Sequence, residues 1–269
     1  MSHAAIGQVT ISYMIPETRV SVREPILVEF ALVNQSPGPV VVDLGLNRTA
    51  AFVISFSHDD GRMLASRISV GIVPPSPYFV APDIVTRAPT FTVGAAQIYR
   101  QRLLLNNWFS FDRAGSFQVD LDMPSPIFSQ EGARLTVAGG SFRTLIEVDP
   151  YDPRRLSDKC SKLLQEITNT DLANDRLEFG TALTSVEDPV AVPYLLRLLT
   201  DTIIAERRAI AMLERIGTRE AVEALIVSCQ HRDQGIAKMS ADALQRMEHR
   251  TIDAFVKARI DAALKNIAH

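Results

Sequence analysis

The spacing of apolar residues changes period once along this chain, near residue 150, and no other feature limits its fold as tightly. Before that point side chains alternate. In Ile26-Leu-Val-Glu-Phe-Ala-Leu-Val, residues Ile26, Val28, Phe30 and Leu32 share one face, the period of two that a strand requires. From Arg154 onward apolar residues recur every three or four positions, the helical period. Proline follows the same divide: of 15 in the chain, only Pro153, Pro189 and Pro193 lie beyond residue 150. All the lysines (Lys159, Lys162, Lys238, Lys257, Lys265) and both cysteines (Cys160, Cys229) lie beyond it too. At the junction, Val148-Asp-Pro-Tyr-Asp-Pro places two prolines where neither a helix nor a central strand continues easily. The expectation is a multidomain chain, all-β over 1–150 and all-α over 151–269.

Within the first half, alternation predicts strands at Gln8–Met14, Ile26–Val33, Val40–Leu44, Phe52–Ser57, Gln97–Leu105, Ser116–Asp122 and Ser141–Val148. His58-Asp-Asp-Gly reads as a hairpin turn in which Gly61 takes positive φ. Strands of this length separated by turn signals give an Ig-like β-sandwich. With no cysteine before Cys160, it must hold without an inter-sheet disulfide. The stretch 66–96 departs from the pattern, with Pro74, Pro75, Pro77, Pro82 and Pro89 and no sustained period. It reads as an irregular Pro-rich loop: either a flap packing Tyr78, Phe79 and Val80 over a sheet edge, or an element that presents Tyr78 and Phe79 to a partner.

The second half repeats itself. Ala191-Val-Pro-Tyr-Leu-Leu aligns with Ala221-Val-Glu-Ala-Leu-Ile at an offset of 30, and Leu213-Glu-Arg-Ile with Leu244-Gln-Arg-Met at 31. Helices are predicted over 154–168, 172–186, 189–199, 204–216, 219–229, 236–248 and 251–267. Asp188-Pro189 reads as an N-cap followed by proline at the first helical position, and Gly217-Thr218 as the end of one helix and the cap of the next. Units of two short helices cannot bury their apolar faces singly, so they are expected to stack into a short right-handed α-solenoid.

Asp188-Pro-Val-Ala-Val-Pro-Tyr-Leu-Leu-Arg-Leu-Leu, Arg208-Ala-Ile-Ala-Met-Leu-Glu-Arg-Ile-Gly and Glu220-Ala-Val-Glu-Ala-Leu resemble bacterial HEAT repeats of the short phycobilisome-lyase-like type. Glu24-Pro-Ile-Leu-Val-Glu-Phe with Asn34, and Leu103-Leu-Leu-Asn-Asn-Trp-Phe-Ser-Phe-Asp-Arg-Ala-Gly-Ser-Phe, resemble the Ig-like domain of intracellular-proteinase-inhibitor-type proteins. The two resemblances imply the fold and say almost nothing of function. The expectation is a non-enzymatic interaction or scaffold module that binds a protein partner through the concave face or the sandwich loops. The resemblances also leave open a protease-inhibitor-like function, or that of an accessory to an enzyme or cofactor lyase.

Catalytic patterns are missing: there is no phosphate-binding glycine loop, no H-E-x-x-H, no G-x-S-x-G and no C-x-x-C. His58-Asp59-Asp60 reads as turn chemistry rather than a metal site. Cys229 closes an apolar helix face, where a thiol packs as a small hydrophobe, although His231 is close in sequence. Trp108, the single tryptophan, reads as packing at a sandwich corner. No cofactor, no metal and no catalytic residue is expected, so the chain is expected not to be an enzyme.

Charge narrows the partner. The 28 basic and 31 acidic residues leave a net charge of −3, which argues against nucleic acid. No run is apolar enough to span a membrane, and no export signal is recognisable, so the compartment stays open between cytoplasm and, if a native signal was trimmed, export. One surface pattern stands out. At a step of 31, Arg207 matches Lys238 and Arg215 matches Arg246, all on helices expected to line the concave face. These four residues, with Tyr78 and Phe79, are the candidate contacts for a protein partner. Interleaved Glu206, Glu214, Asp242 and Glu248 offer the competing explanation of ordinary pairing on a solvated face.

Overall fold

The computed structural model describes residues 9–44, 51–58, 61–64, 90–124, 127–202, 204–250 and 253–267. Tyr78 and Phe79 lie outside them, as does most of 66–96. The chain divides into two units. Among the described residues, one contains the strands up to Pro150. The other contains everything from Tyr151 together with the short segment Arg23–Pro25.

Among the described residues, twelve strands build the first unit: β1 (Val9–Met14), β2 (Arg19–Ser21), β3 (Leu27–Asn34), β4 (Val40–Asp43), β5 (Val53–His58), β6 (Met63–Leu64), β7 (Thr90–Val93), β8 (Ile98–Leu104), β9 (Gly115–Asp122), β10 (Ile127–Ser129), β11 (Val137–Ala138) and β12 (Ser141–Asp149). They form sheets ordered β11-β1-β3-β8, β10-β4-β7 and β2-β12-β9-β5-β6. The alternation in β3 has the expected consequence, for Val28, Phe30 and Leu32 are fully buried. Phe30 meets Phe52 edge-on at 5.0 Å and Tyr13 at 5.5 Å. Phe56, Val119 and Ile146 belong to the same continuous core, so the sheets share one apolar interior as a β-sandwich does. Trp108 is 3% exposed within it.

Five short strands escape the alternation signal: β2, β6, β7, β10 and β11. One of them corrects the reading of 66–96 as wholly irregular. Thr90–Val93 is extended and pairs antiparallel with β4, Val40 opposite Val93. β5 and β6 pair antiparallel, Ser57 opposite Met63. Gly61 takes a positive φ of +79° with its amide donating to the His58 carbonyl at 2.8 Å, while Asp59 and Asp60 lie outside the described residues.

A buried asparagine holds the strand ends together. Asn34 is fully buried, and its amide nitrogen faces the carbonyls of Gly38, Val93 and Gly94 at 2.9, 3.0 and 2.9 Å. Its side-chain oxygen accepts from the Ser36 amide at 2.9 Å and from the Ser36 hydroxyl at 2.6 Å. One side chain thereby satisfies backbone groups at the end of β3, before β4 and after β7.

The second unit contains α1 (Pro153–Asn169), α2 (Ala173–Leu183), α3 (Val192–Asp201), α4 (Glu206–Ile216), α5 (Arg219–Ser228), α6 (Gln234–Arg250) and α7 (Ala254–Ile267). The caps follow the punctuation. Gly217 takes the left-handed conformation at φ +66°, its amide donating to Leu213, and the Thr218 hydroxyl accepts from the Ala221 amide. At Asp188-Pro189 the chain first makes a 3-10 turn, Pro189–Ala191, and α3 begins only at Val192. Consecutive helices pack against one another. In addition α3 touches α1 and α5, α5 touches α7, and α4 touches α6. The helices therefore follow two rows, α1-α3-α5-α7 and α4-α6 by direct packing, with α2 joined to α4 through the Arg208–Thr181 hydrogen bond.

Candidate functional site

Repeat spacing singled out a row of four basic residues on α4 and α6, and all four are exposed. They do not stack as like charges. Arg215 reaches back to Glu187, beyond the end of α2, at 2.6 Å. Arg246 grips Glu214 of α4 with two nitrogens, Nη2 at 2.8 Å and Nε at 3.1 Å. Arg250 binds the other side of the same carboxylate. Glu214 is buried, with only 4% of its side chain exposed, whereas the two arginines are about half exposed. A carboxylate taken out of water needs such partners, and the half-solvated guanidiniums supply them at little desolvation cost. Arg208 of α4 also donates to the Thr181 hydroxyl of α2. Arginines thus tie α4 to α2 and α6 to α4.

The α1-α3-α5-α7 row uses the same device. Arg259 of α7 makes a paired contact with Glu223 of α5, at 2.6 and 2.8 Å. Its hydrogen bonds hold the Glu223 carboxyl below its usual range. Beside it the Arg219 guanidinium covers the Phe255 ring, 4.1 Å from its centre.

Of the four sequence candidates, Arg246 therefore ties α6 to α4, and Arg215 ties α4 to the segment that follows α2. Arg207 and Lys238, one step of 31 apart, make no ion pair with any of the described residues. Both side chains are exposed.

A second charged cluster carries no repeat signature. Asp188 is 2% exposed and accepts from the Val190 amide at 3.0 Å, the Tyr151 hydroxyl at 3.2 Å and Arg23 Nη1 at 2.9 Å. Arg23 also lies over the Tyr151 ring. Glu24, equally buried, is bound by Arg155 at 2.7 Å. Sequence reasoning found Asp188 as a cap and missed the rest, because nothing in the spacing links Arg23 and Glu24 to residues so far along the chain.

Nucleophilic chemistry finds little support in these surroundings. Cys160 is fully buried. Its thiol is pushed up to about 12, first by burial and then by the charges of Asp188 and Glu24. Burial pushes Cys229 up to about 11. His231, two residues on, uses Nδ1 to accept the Asp233 amide at 3.0 Å. Both thiols are therefore protonated at neutral pH and shielded. Neither should react with a charged disulfide reagent in the native protein, and both should react once it is unfolded. Prompt labelling of either native thiol would contradict that. Among the described residues, no group of His, Cys, Asp and Glu is arranged to hold a metal ion.

Comparison with known proteins adds little. No family model matches the chain, and neither does any curated protein. Among solved structures there is an overlap with the CARDB domain of a Pyrococcus furiosus protein, crystallised in complex with di-metal ions. It has 10% identity and covers 54% of this chain and 90% of that one, at a TM-score of 0.26. So loose an overlap carries neither fold detail nor chemistry across.

Proposed function

We propose that this chain is a non-enzymatic interaction module: an Ig-like β-sandwich (1–150) followed by a short right-handed HEAT-type solenoid (151–269) that binds a protein partner. One observation carries the reading. The two-row succession of helices has an internal repeat of about 30 residues, and its α4-α6 row leaves Arg207 and Lys238 exposed at equivalent positions. Stacked repeats give a rigid surface, so recognition would cost little ordering entropy. The shielded, protonated thiols support this reading over a cofactor-lyase accessory, which would need a reactive thiol. A protease-inhibitor-like role would depend on 66–96 or another loop, and the described part of 66–96 holds the paired strand β7.

The test is affinity capture from native lysate with an Arg207→Glu/Lys238→Glu double variant. Reversing Arg215 or Arg246 would also break ion pairs that hold the helical unit together, so the double variant isolates recognition from folding. Recovery of the partner should fall by roughly tenfold or more, the scale of losing two rim charges and replacing them with repulsion. Far-UV circular dichroism should be unchanged. Equal recovery by both proteins would remove this face from the proposal.

A further inference from the structure

The outward face of α7 has no counterpart in the partner reading. α7 packs on α5 and α6 through Val256, Ile260 and Ala263, all buried. Its opposite face exposes Ala254, Ala258, Ala262 and Lys265. Along one border run Asp253, Lys257, Asp261 and Lys265, alternating in sign every four residues. Such spacing could be satisfied within the helix. Yet among the described residues Lys257, Asp261 and Lys265 form no ion pair. Asp253 caps the helix instead, accepting from the Phe255 and Val256 amides at 2.8 and 3.2 Å. The border toward α5 is already occupied by the Arg219–Phe255 and Arg259–Glu223 contacts.

We propose that this face is a self-association surface on which α7 of a second copy lies antiparallel. The alternation of charge selects both direction and register. With a two-fold axis near Ala258 and Arg259, Asp253 faces Lys265 of the second copy and Lys257 faces its Asp261, and symmetry repeats both pairs. A shift of four residues either way sets Lys257 against a lysine and Asp261 against an aspartate. A parallel pair in register opposes like with like throughout. The alanines make close approach possible, with Ala258 at the axis and Ala254 beside Ala262 of the second copy. A 14-residue helix is about 21 Å long, so the contact lies at the small end of specific interfaces and should dissociate in the micromolar range. It uses a different helix from the partner face and does not depend on that reading.

Sedimentation velocity on the full chain, from about 5 to about 200 µM, brackets such a constant. The weight-average mass should climb from one chain toward two. Lys257→Asp alone should raise the dissociation constant about tenfold, because both symmetry-related pairs turn repulsive. The double variant Lys257→Asp/Asp261→Lys exchanges the signs and should restore association. Ala258→Glu, at the axis, should abolish it. A single-chain mass at every concentration overturns the proposal, and so does a dissociation constant that Lys257→Asp leaves unchanged, a dimer that survives Ala258→Glu, or a failure of the exchange to restore association.

Discussion

Replacing Asn34 with alanine should destabilise the β-rich unit by about 3 kcal/mol, the upper range for a single polar side chain. The figure follows from what the amide leaves behind. Three carbonyls, those of Gly38, Val93 and Gly94, lose their shared donor, and the Ser36 amide loses its acceptor. An unpartnered buried group costs about 1–3 kcal/mol, moderated here where the turn gives access to water. Trp108 is the only tryptophan and is buried in the same core, so its fluorescence reports on this unit. In urea the midpoint should fall by more than about 1 M with an unchanged slope, given slopes of about 1–3 kcal/mol/M. Asn34→Asp separates donor from shape. It keeps an acceptor for Ser36 but turns a carboxylate toward three carbonyl oxygens, so it should cost at least as much as alanine. If aspartate is tolerated within about 1 kcal/mol, the amide's donors are not what joins these strand ends.

Asn34 also shows how far the sequence could be read. The alternation of β3 is local, so Val28, Phe30 and Leu32 were assignable to the core directly. The task of Asn34 depends on where Val93 and Gly94 come to lie, and β7 is only four residues long within a proline-rich stretch. Strands such as β2 and β11 are short and lie at sheet edges. β2 pairs in parallel with β12, Val20 beside Val148, a register set by the partner rather than by the pattern of β2 itself. In the helical unit the 31-residue step revealed Arg215 and Arg246 as equivalent positions. It did not reveal their acids. Glu187 lies outside any helix and Glu214 in the last turn of α4, so the two contacts span different sequence distances and follow no single spacing rule. Repeats fix which residues are equivalent, while loop length and helix crossing decide which opposite charge each one meets. For that reason like charges at repeat spacing did not become a basic groove.

Raising the pH should expose the burial of Cys160 as a loss of stability. In the folded chain its thiol is pushed up from 9.0 to about 12, chiefly by burial, whereas in the unfolded chain it returns to near 9.0. Below pH 9 both states hold the proton, and the contribution is fully present. Above it the unfolded chain releases the proton and the native chain does not, so stability falls until the native thiol also titrates near 12. At about pH 10.5 the loss should reach roughly 2 kcal/mol, at 1.36 kcal/mol per unit of separation. Lysines and tyrosines titrate in the same window, so wild type alone cannot assign the effect. Cys160→Ala can. The variant should be less stable near neutrality by about 1 kcal/mol from lost packing. Between about pH 8 and 10.5 its urea midpoint, followed by far-UV circular dichroism, should decline less, closing the gap by about 2 kcal/mol and reversing its sign. Cys229→Ala should close nearly the same gap by about pH 10.5, since that thiol rises to about 11, and the two variants should part only above about pH 11. Parallel curves for wild type and Cys160→Ala would mean that the thiol ionises as readily in the folded chain as in the unfolded one. In that case the charges of Asp188 and Glu24 would not act on Cys160, and the shielding that argues against a thiol nucleophile would be lost with them.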